Sequence, residues 1–287
     1  MKYYPWSRLW LLNVTLSLLI LSPFILASDL TENVIKTDSQ SPLAPGERQV
    51  FVSTLNGELL AMNPRTGHIK WMLKEEPVLR VPVTVQHGYT FLPDPQDGSL
   101  YLLIEGRLKK MPFTIPQLVQ ASPCKSSDGV LYAGSKKDIW FAINPTTGNK
   151  VETLSEATAE RVCPASNEKA VFIGRTEYQI SMFDAQSRSK RYNATFTDYS
   201  SHVLPEDVTY PLQHFSSSSD GRIITVDGST GRILWDRDFG NPIVAMYLLQ
   251  GDGLHRLPFT VIGRETLDSL VEVSTLLLFL FNNLSAT

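Results

Sequence analysis

One pattern returns along this chain about every 40 residues, and a chain that repeats at that interval has few folds open to it. Val50–Asn63, Leu131–Asn144, Val171–Asp184 and Asp220–Asp227 each alternate apolar with polar residues and run into a turn. A fainter copy is Gly98–Leu103. The five anchors fall at Asn63, Leu103, Asn144, Asp184 and Asp227, in steps of 40, 41, 40 and 43 residues. Three copies close on Asn/Asp-x-x-Thr-Gly, ending at Gly67, Gly148 and Gly231. An Asx side chain bonds the backbone two residues on, and glycine supplies the positive φ that ends such a hairpin. In three copies an aromatic follows eight residues after the anchor: Trp71, Tyr192 and Trp235. Each is positioned to pack on the next unit. Alternation at period two marks half-buried strands. One hairpin unit cannot bury its own apolar face, so neighbours must stack. The predicted fold is all-β, a propeller-like stack of about five units over residues 50 to about 245. It is either an incomplete propeller or several sheets packed as a triangle.

Hydrophobic residues make up 43% of the chain, enough to bury a core. The net charge of −3 offers no electrostatic footprint for nucleic acid. Lys109-Lys110, Lys136-Lys137 and Lys190-Arg191 read as solvated surface. The N-terminus has the form of a targeting signal: Lys2 and Arg8, an apolar Leu9–Leu26, then small Ala27 and Ser28. It predicts a cleaved signal over 1–28, the alternative being an uncleaved anchor helix. Either sends the remainder into the secretory pathway. Sequons at Asn193 and Asn283 agree with that route as glycosylation sites. Residues 29–48 are polar, with Pro42 and Pro45, and predict a disordered lead-in. Residues 196–220 form a long insertion between repeats, read as mobile. Leu276–Phe281 is apolar and too short to cross a membrane; it predicts a buried strand or a truncated end.

No nucleophile elbow, P-loop, zinc-binding helix signature or dinucleotide glycine pattern is present. His68, His87, His202, His214 and His255 are separated from one another in sequence. Cys124 and Cys163 lack metal-ligand spacing and are too few for a disulfide scaffold. They hold equivalent places in adjacent repeats and read as free thiols. No catalytic residue, metal site or cofactor is predicted. The Thr-Gly ending and its aromatic resemble the blades of quinone-cofactor dehydrogenases. That likeness raises a quinone enzyme as an alternative function, and a passive scaffold as another. No adjacent cysteine pair is present to support the enzyme.

Several stretches are more specific than the repeat: Phe51–Gly57, Ile69–Val78, Phe91–Pro95, Asp97–Tyr101, Leu108–Gly129 and Ile173–Tyr178. Together they resemble the luminal stress-sensing domain of the inositol-requiring endoplasmic reticulum transmembrane kinase/endoribonuclease family, over most of residues 50 to 268. The resemblance implies a sensor of the unfolded protein response in the endoplasmic reticulum lumen. Its implied partners are unfolded polypeptides, the lumenal Hsp70 chaperone and further copies of itself. The family's dimer-forming strand matches Lys136, Lys137, Asp138, Ile139 and Trp140, and its neighbouring glutamine matches Gln120. An edge strand pairing with its copy across a two-fold axis fits these residues, with Trp140 as anchor and Lys136 and Asp138 at the rim. The alternative is that Trp140 fills its own blade. Residues 49–268 are thus the expected sensor domain and 269–287 a divergent tail. The family's kinase and ribonuclease motifs are missing, so the chain is expected to be truncated and not itself an enzyme.

Overall fold

Asn63, Asp94, Asn144, Asp184 and Asp227 each open a turn of one design in the computed structural model of this chain. In four of them the backbone N–H of the glycine four residues on donates to the Asx carbonyl, at 2.8–2.9 Å. In all five the Asx carboxyl or amide oxygen accepts from the backbone two residues on, at 2.9 Å. Gly67, Gly98, Gly148 and Gly231 hold φ between 66° and 74°, a left-handed conformation that only glycine adopts cheaply. The expected anchor at Leu103 is corrected: Leu103 lies inside a strand, paired with Thr90 and Leu108, and the matching turn starts at Asp94. A helix inserted after this short unit takes up the residues that had hidden its register.

The structure describes residues 48–82, 90–127, 129–155, 170–186, 189–206, 208–251 and 253–284. The expected signal at 1–28, nearly all of the 29–48 lead-in, His87 and Cys163 lie outside them. The described residues form four sheets in a propeller-like arrangement. Sheet I holds β1 (Gln49–Thr54), β2 (Glu58–Met62), β3 (Ile69–Lys74), β13 (His202–Val203), β17 (Ile243–Gln250) and β18 (Gly253–Leu257), in the order β13-β18-β17-β1-β2-β3. Sheet II holds β4 (Leu79–Arg80), β8 (Cys124–Lys125), β9 (Val130–Ile143), β10 (Lys150–Ser155), β11 (Val171–Asp184) and β12 (Lys190–Tyr199). Its order is β10-β9-β11-β12-β4, with β8 beside β9. Sheet III is β16-β15-β14-β19, from β14 (Leu212–Ser217), β15 (Arg222–Asp227), β16 (Ile233–Asp238) and β19 (Thr260–Ile262). Sheet IV is β5 (Thr90–Pro93), β6 (Ser99–Ile104) and β7 (Arg107–Thr114). Two helices complete the described residues: α1 (Ile115–Ala121) and α2 (Arg264–Leu284).

Five turns on four sheets have a simple cause. The hairpins at Asn144 and Asp184 share sheet II, because β9 and β11 pair along all 14 residues of each. The aromatics join sheet to sheet, but not in chain order: Trp71 skips the Asp94 unit and Tyr192 packs back on it, against the expected packing of each on the next unit. Trp235 of sheet III lies over Gly67 of sheet I and donates from Nε1 to the Pro64 carbonyl at 2.8 Å. Trp71 of sheet I lies over Gly148 of sheet II and donates to the Pro145 carbonyl at 2.8 Å. A Cβ on Gly148 would sit 2.5 Å from the Trp71 ring. At the third junction Tyr192 packs on Phe91 of sheet IV, while Phe196 meets the turn glycine, Gly98.

Apolar cores fill the same three junctions. Val50, Val52 and Met62 meet Ile223 and Trp235 of sheet III, while Phe51, Leu59 and Tyr247 meet Phe141, Ile143 and Ile173 of sheet II. Between sheets II and IV, Ile180, Met182 and Phe196 pack on Leu100 and on Ile115, Leu118 and Val119 of α1. Helix α1 starts on a reciprocal cap, in which Gln117 N donates to Thr114 Oγ1 and Thr114 N to Gln117 Oε1. Two readings change. The 196–220 insertion carries β13 and β14, and Tyr210 within it closes over His214. Leu276–Phe281 belongs to helix α2, not to a strand.

Candidate functional site

β9 is flanked unequally. On one side β11 pairs with it from Val130 to Ile143. On the other, β8 meets only Leu131 and Tyr132, and β10 only Ile139 to Ile143. Among the described residues no strand lies between them, alongside Ala133–Asp138. In a strand the N–H and C=O of one residue point the same way, and successive residues alternate. Gly134 N donates to Ser122 Oγ at 2.5 Å on the β8 side, and Val130 O accepts from Ser126 N there. The backbone groups of residues 134, 136 and 138 therefore point to this open border, and those of 135 and 137 point to β11. Among the described residues β9 is thus an edge strand over a short central stretch.

The sequence-predicted residues gather on one face beside that border. Lys136 Nζ lies 2.8 Å from Asp138 Oδ2, and Thr176 Oγ1 of β11 donates to Asp138 Oδ1 at 2.6 Å. The bond from Lys136, then that from Thr176, hold the Asp138 carboxyl below its ordinary value. Trp140 follows on the same face and is 47% exposed, so it does not fill its own blade. Its ring edge lies against Gly174, where a Cβ would stand 3.0 Å from Cη2. Gln120 is exposed on α1. That helix rides on the same face, since a Cβ on Gly134 would stand 2.9 Å from the Val119 Cα.

The other named residues separate. Asn193 on β12 is exposed, and its Oδ1 accepts from Ser181 Oγ at 3.2 Å. Ser181 pairs with Ala133, so Asn193 lies on the face opposite Lys136 and Trp140. Asn283 falls in α2, and its side chain lies outside the described residues. Cys124 on β8 is partly buried and free. Among the described residues no group of three or more His, Cys, Asp or Glu side chains is placed to hold a metal. The histidines are less scattered than their spacing suggests: His202 and His255 sit side by side on paired strands, ring centroids 5.7 Å apart. His214 is a core residue, bonded to Tyr210 and Thr225 at 2.7 Å each, and burial lowers its imidazole to about 4.

A polar cavity of about 400 Å³, lined by Thr176, Tyr178, Asp198, Ser200, His202 and Arg256, adjoins the site through Thr176. Burial raises the Asp198 carboxyl, against the pull of Arg256 3.4 Å away. Tyr247 Oη donates to the same carboxylate at 3.2 Å. Sequence reading missed this group, because Asp198 is about 50 residues from Tyr247 and Arg256, which face each other across the β17–β18 hairpin, and each looks ordinary alone.

The family model described as outer membrane protein assembly factor BamB matches residues 28–237. The serine/threonine-protein kinase/endoribonuclease ire-1 of Caenorhabditis elegans is 58% identical over 223 residues, 78% of this chain and 23% of its own length. The serine/threonine-protein kinase/endoribonuclease IRE2 of Homo sapiens is 40% identical over 227 residues, 78% of this chain and 24% of its own. This chain thus spans about a quarter of the length of these relatives. The solved compact lumenal domain of yeast Ire1 shares the fold at a TM-score of 0.59 and 20% identity, covering 74% of this chain and 75% of that one. The chain therefore belongs to the β-repeat family of that model, and its matched region is the lumenal-domain portion of the Ire1 kinase/endoribonuclease family.

Proposed function

We propose that residues 49–268 act in the endoplasmic reticulum lumen as the sensor domain of the unfolded protein response, and that they work by self-association. Two copies join at the β9 border across a two-fold axis. Each Trp140 anchors the contact, with Lys136, Asp138 and Gln120 at its rim. Unfolded polypeptide and the lumenal Hsp70 chaperone are the partners that tune this association. The kinase and ribonuclease modules it brings together belong to longer chains of the family. A glycan on Asn193 would project from the opposite face and leave the joint clear. Cys124 and Cys163 stay free thiols in this reading.

One observation supports the proposal: among the described residues the middle of β9 has a strand on one side only, beside a large aromatic that its own sheet leaves half exposed. Strand addition at such a border supplies main-chain bonds, and an aromatic in a desolvated centre supplies most of the affinity. The test is a pair of prolines. Asp138→Pro deletes a donor aimed at the open border and spares the β11 ladder. Lys137→Pro deletes a donor aimed at β11, removes a ladder hydrogen bond and destabilises the monomer. Sedimentation over a concentration series is expected to show a dimer for the parent chain and a folded monomer for Asp138→Pro. A parent chain that stays monomeric throughout, or a dimer that survives Asp138→Pro, removes the proposed joint. Added denatured client is expected to shift the parent chain toward larger species.

A further inference from the structure

Helix α2 is fastened at its start and increasingly exposed at Leu270, Val273 and Leu276. Leu267 is fully buried. Arg264 Nη1 donates to Asp220 at 2.9 Å, and Arg222 bonds both Asp236 and Asp268, so the first turns are tied to sheet III. Exposure then climbs along the helix: Leu270 41%, Val273 54%, Leu276 62%. From Val273 to Leu284 no residue carries a charge, and Leu276–Phe281 is six apolar residues in succession. At about 100° per residue six positions pass right round a helix. A groove on a protein covers one side only, whereas a helix apolar all round needs an apolar medium about it.

The dimensions identify the medium. Val273–Phe281 is a run of nine residues that rises about 13 Å, well short of the ~30 Å that spans a bilayer. No helix of the described residues is long and apolar enough to cross a membrane. Polar residues close both ends of the run, Glu272 before it and Asn282-Asn283 after it. A helix bounded so lies flat at the headgroup boundary, sunk by ~5–10 Å, close to its own ~10 Å diameter. Glu265, Asp268 and Glu272 give α2 no attraction to anionic headgroups. We propose that α2 embeds its apolar run in a zwitterionic or uncharged lipid surface and holds sheet III against it.

The test places an environment-sensitive fluorophore at Phe279→Cys in a Cys124→Ser, Cys163→Ser chain. A dye there reports on this helix alone, whatever Leu9–Leu26 does. Phosphatidylcholine vesicles are expected to shift its emission to the blue, equally at low and high salt. Adding Leu276→Asp and Leu280→Asp is expected to abolish the shift, with the melting temperature unchanged. Emission that vesicles do not move overturns the proposal. So does a blue shift that grows with protein concentration in the absence of lipid, which would assign the run to a second copy. A shift that survives both aspartates overturns it as well.

Discussion

β1 and β9 come from the same kind of repeat and meet opposite surroundings. β1 is paired by β17 from Gln49 to Thr54 and by β2 from Val50 to Ser53, and all six of its residues are buried, Phe51 against sheet II and Val50 and Val52 against sheet III. β9 is paired throughout by β11, but among the described residues its other side is paired only near its ends, and its centre is exposed on both faces. A strand with both borders and both faces taken contributes only to stability. A strand with an open border is a place where a strand of another chain can be added. One repeat unit thus serves as core or as joint according to what lies beside it.

Three measurements would break or sharpen this contrast. The largest effect belongs to the interior: Trp71→Ala removes a ring wedged over Gly148 and is expected to cost about 3–5 kcal/mol in chemical unfolding. A loss below about 1 kcal/mol would mean that the junctions do not depend on their aromatics. Next comes pH. His214 is neutral and buried, near 4 when folded against 6.5 when free, so the unfolded chain takes up its proton first as the solution is acidified. Its share of stability is complete above 6.5 and is lost as pH falls toward 4. The contribution amounts to about 2 kcal/mol between pH 7 and pH 5. His214→Gln is expected to flatten that part of the pH profile, and an unaltered slope would show that another group sets it. The smallest effect lies at the border: Trp140→Ala should change the unfolding free energy of the monomer by less than about 0.5 kcal/mol while abolishing self-association. A destabilisation comparable to that of Trp71→Ala would make Trp140 a core residue after all.

Much of the fold was legible because its signals are local. The Asx turns at Asn63, Asn144 and Asp227 depend on residues four apart, and period-two burial needs no knowledge of the partner strand. The turn at Asp94 escaped notice because its unit is short and lacks a tryptophan after it. The tail was misjudged for a related reason. A run such as Leu276–Phe281 suits strand and helix alike, and the polar residues that decide between them, Arg264 and Asp268, find their partners in sheet III. The joint was half legible: Lys136, Asp138 and Trp140 alternate onto one face in any strand, but nothing local says which border stays open.

The sequence by itself determined the hairpins, their turns and the aromatics that dock them, since bonds over four residues and alternation over two arise within one unit. Only the tertiary structure decided that two units would merge into one sheet, and that Asp198 would face Arg256 in a cavity wall while accepting from Tyr247. Those outcomes depend on pairings between residues far apart in the chain, whose closure is weighed against chain entropy for the molecule as a whole.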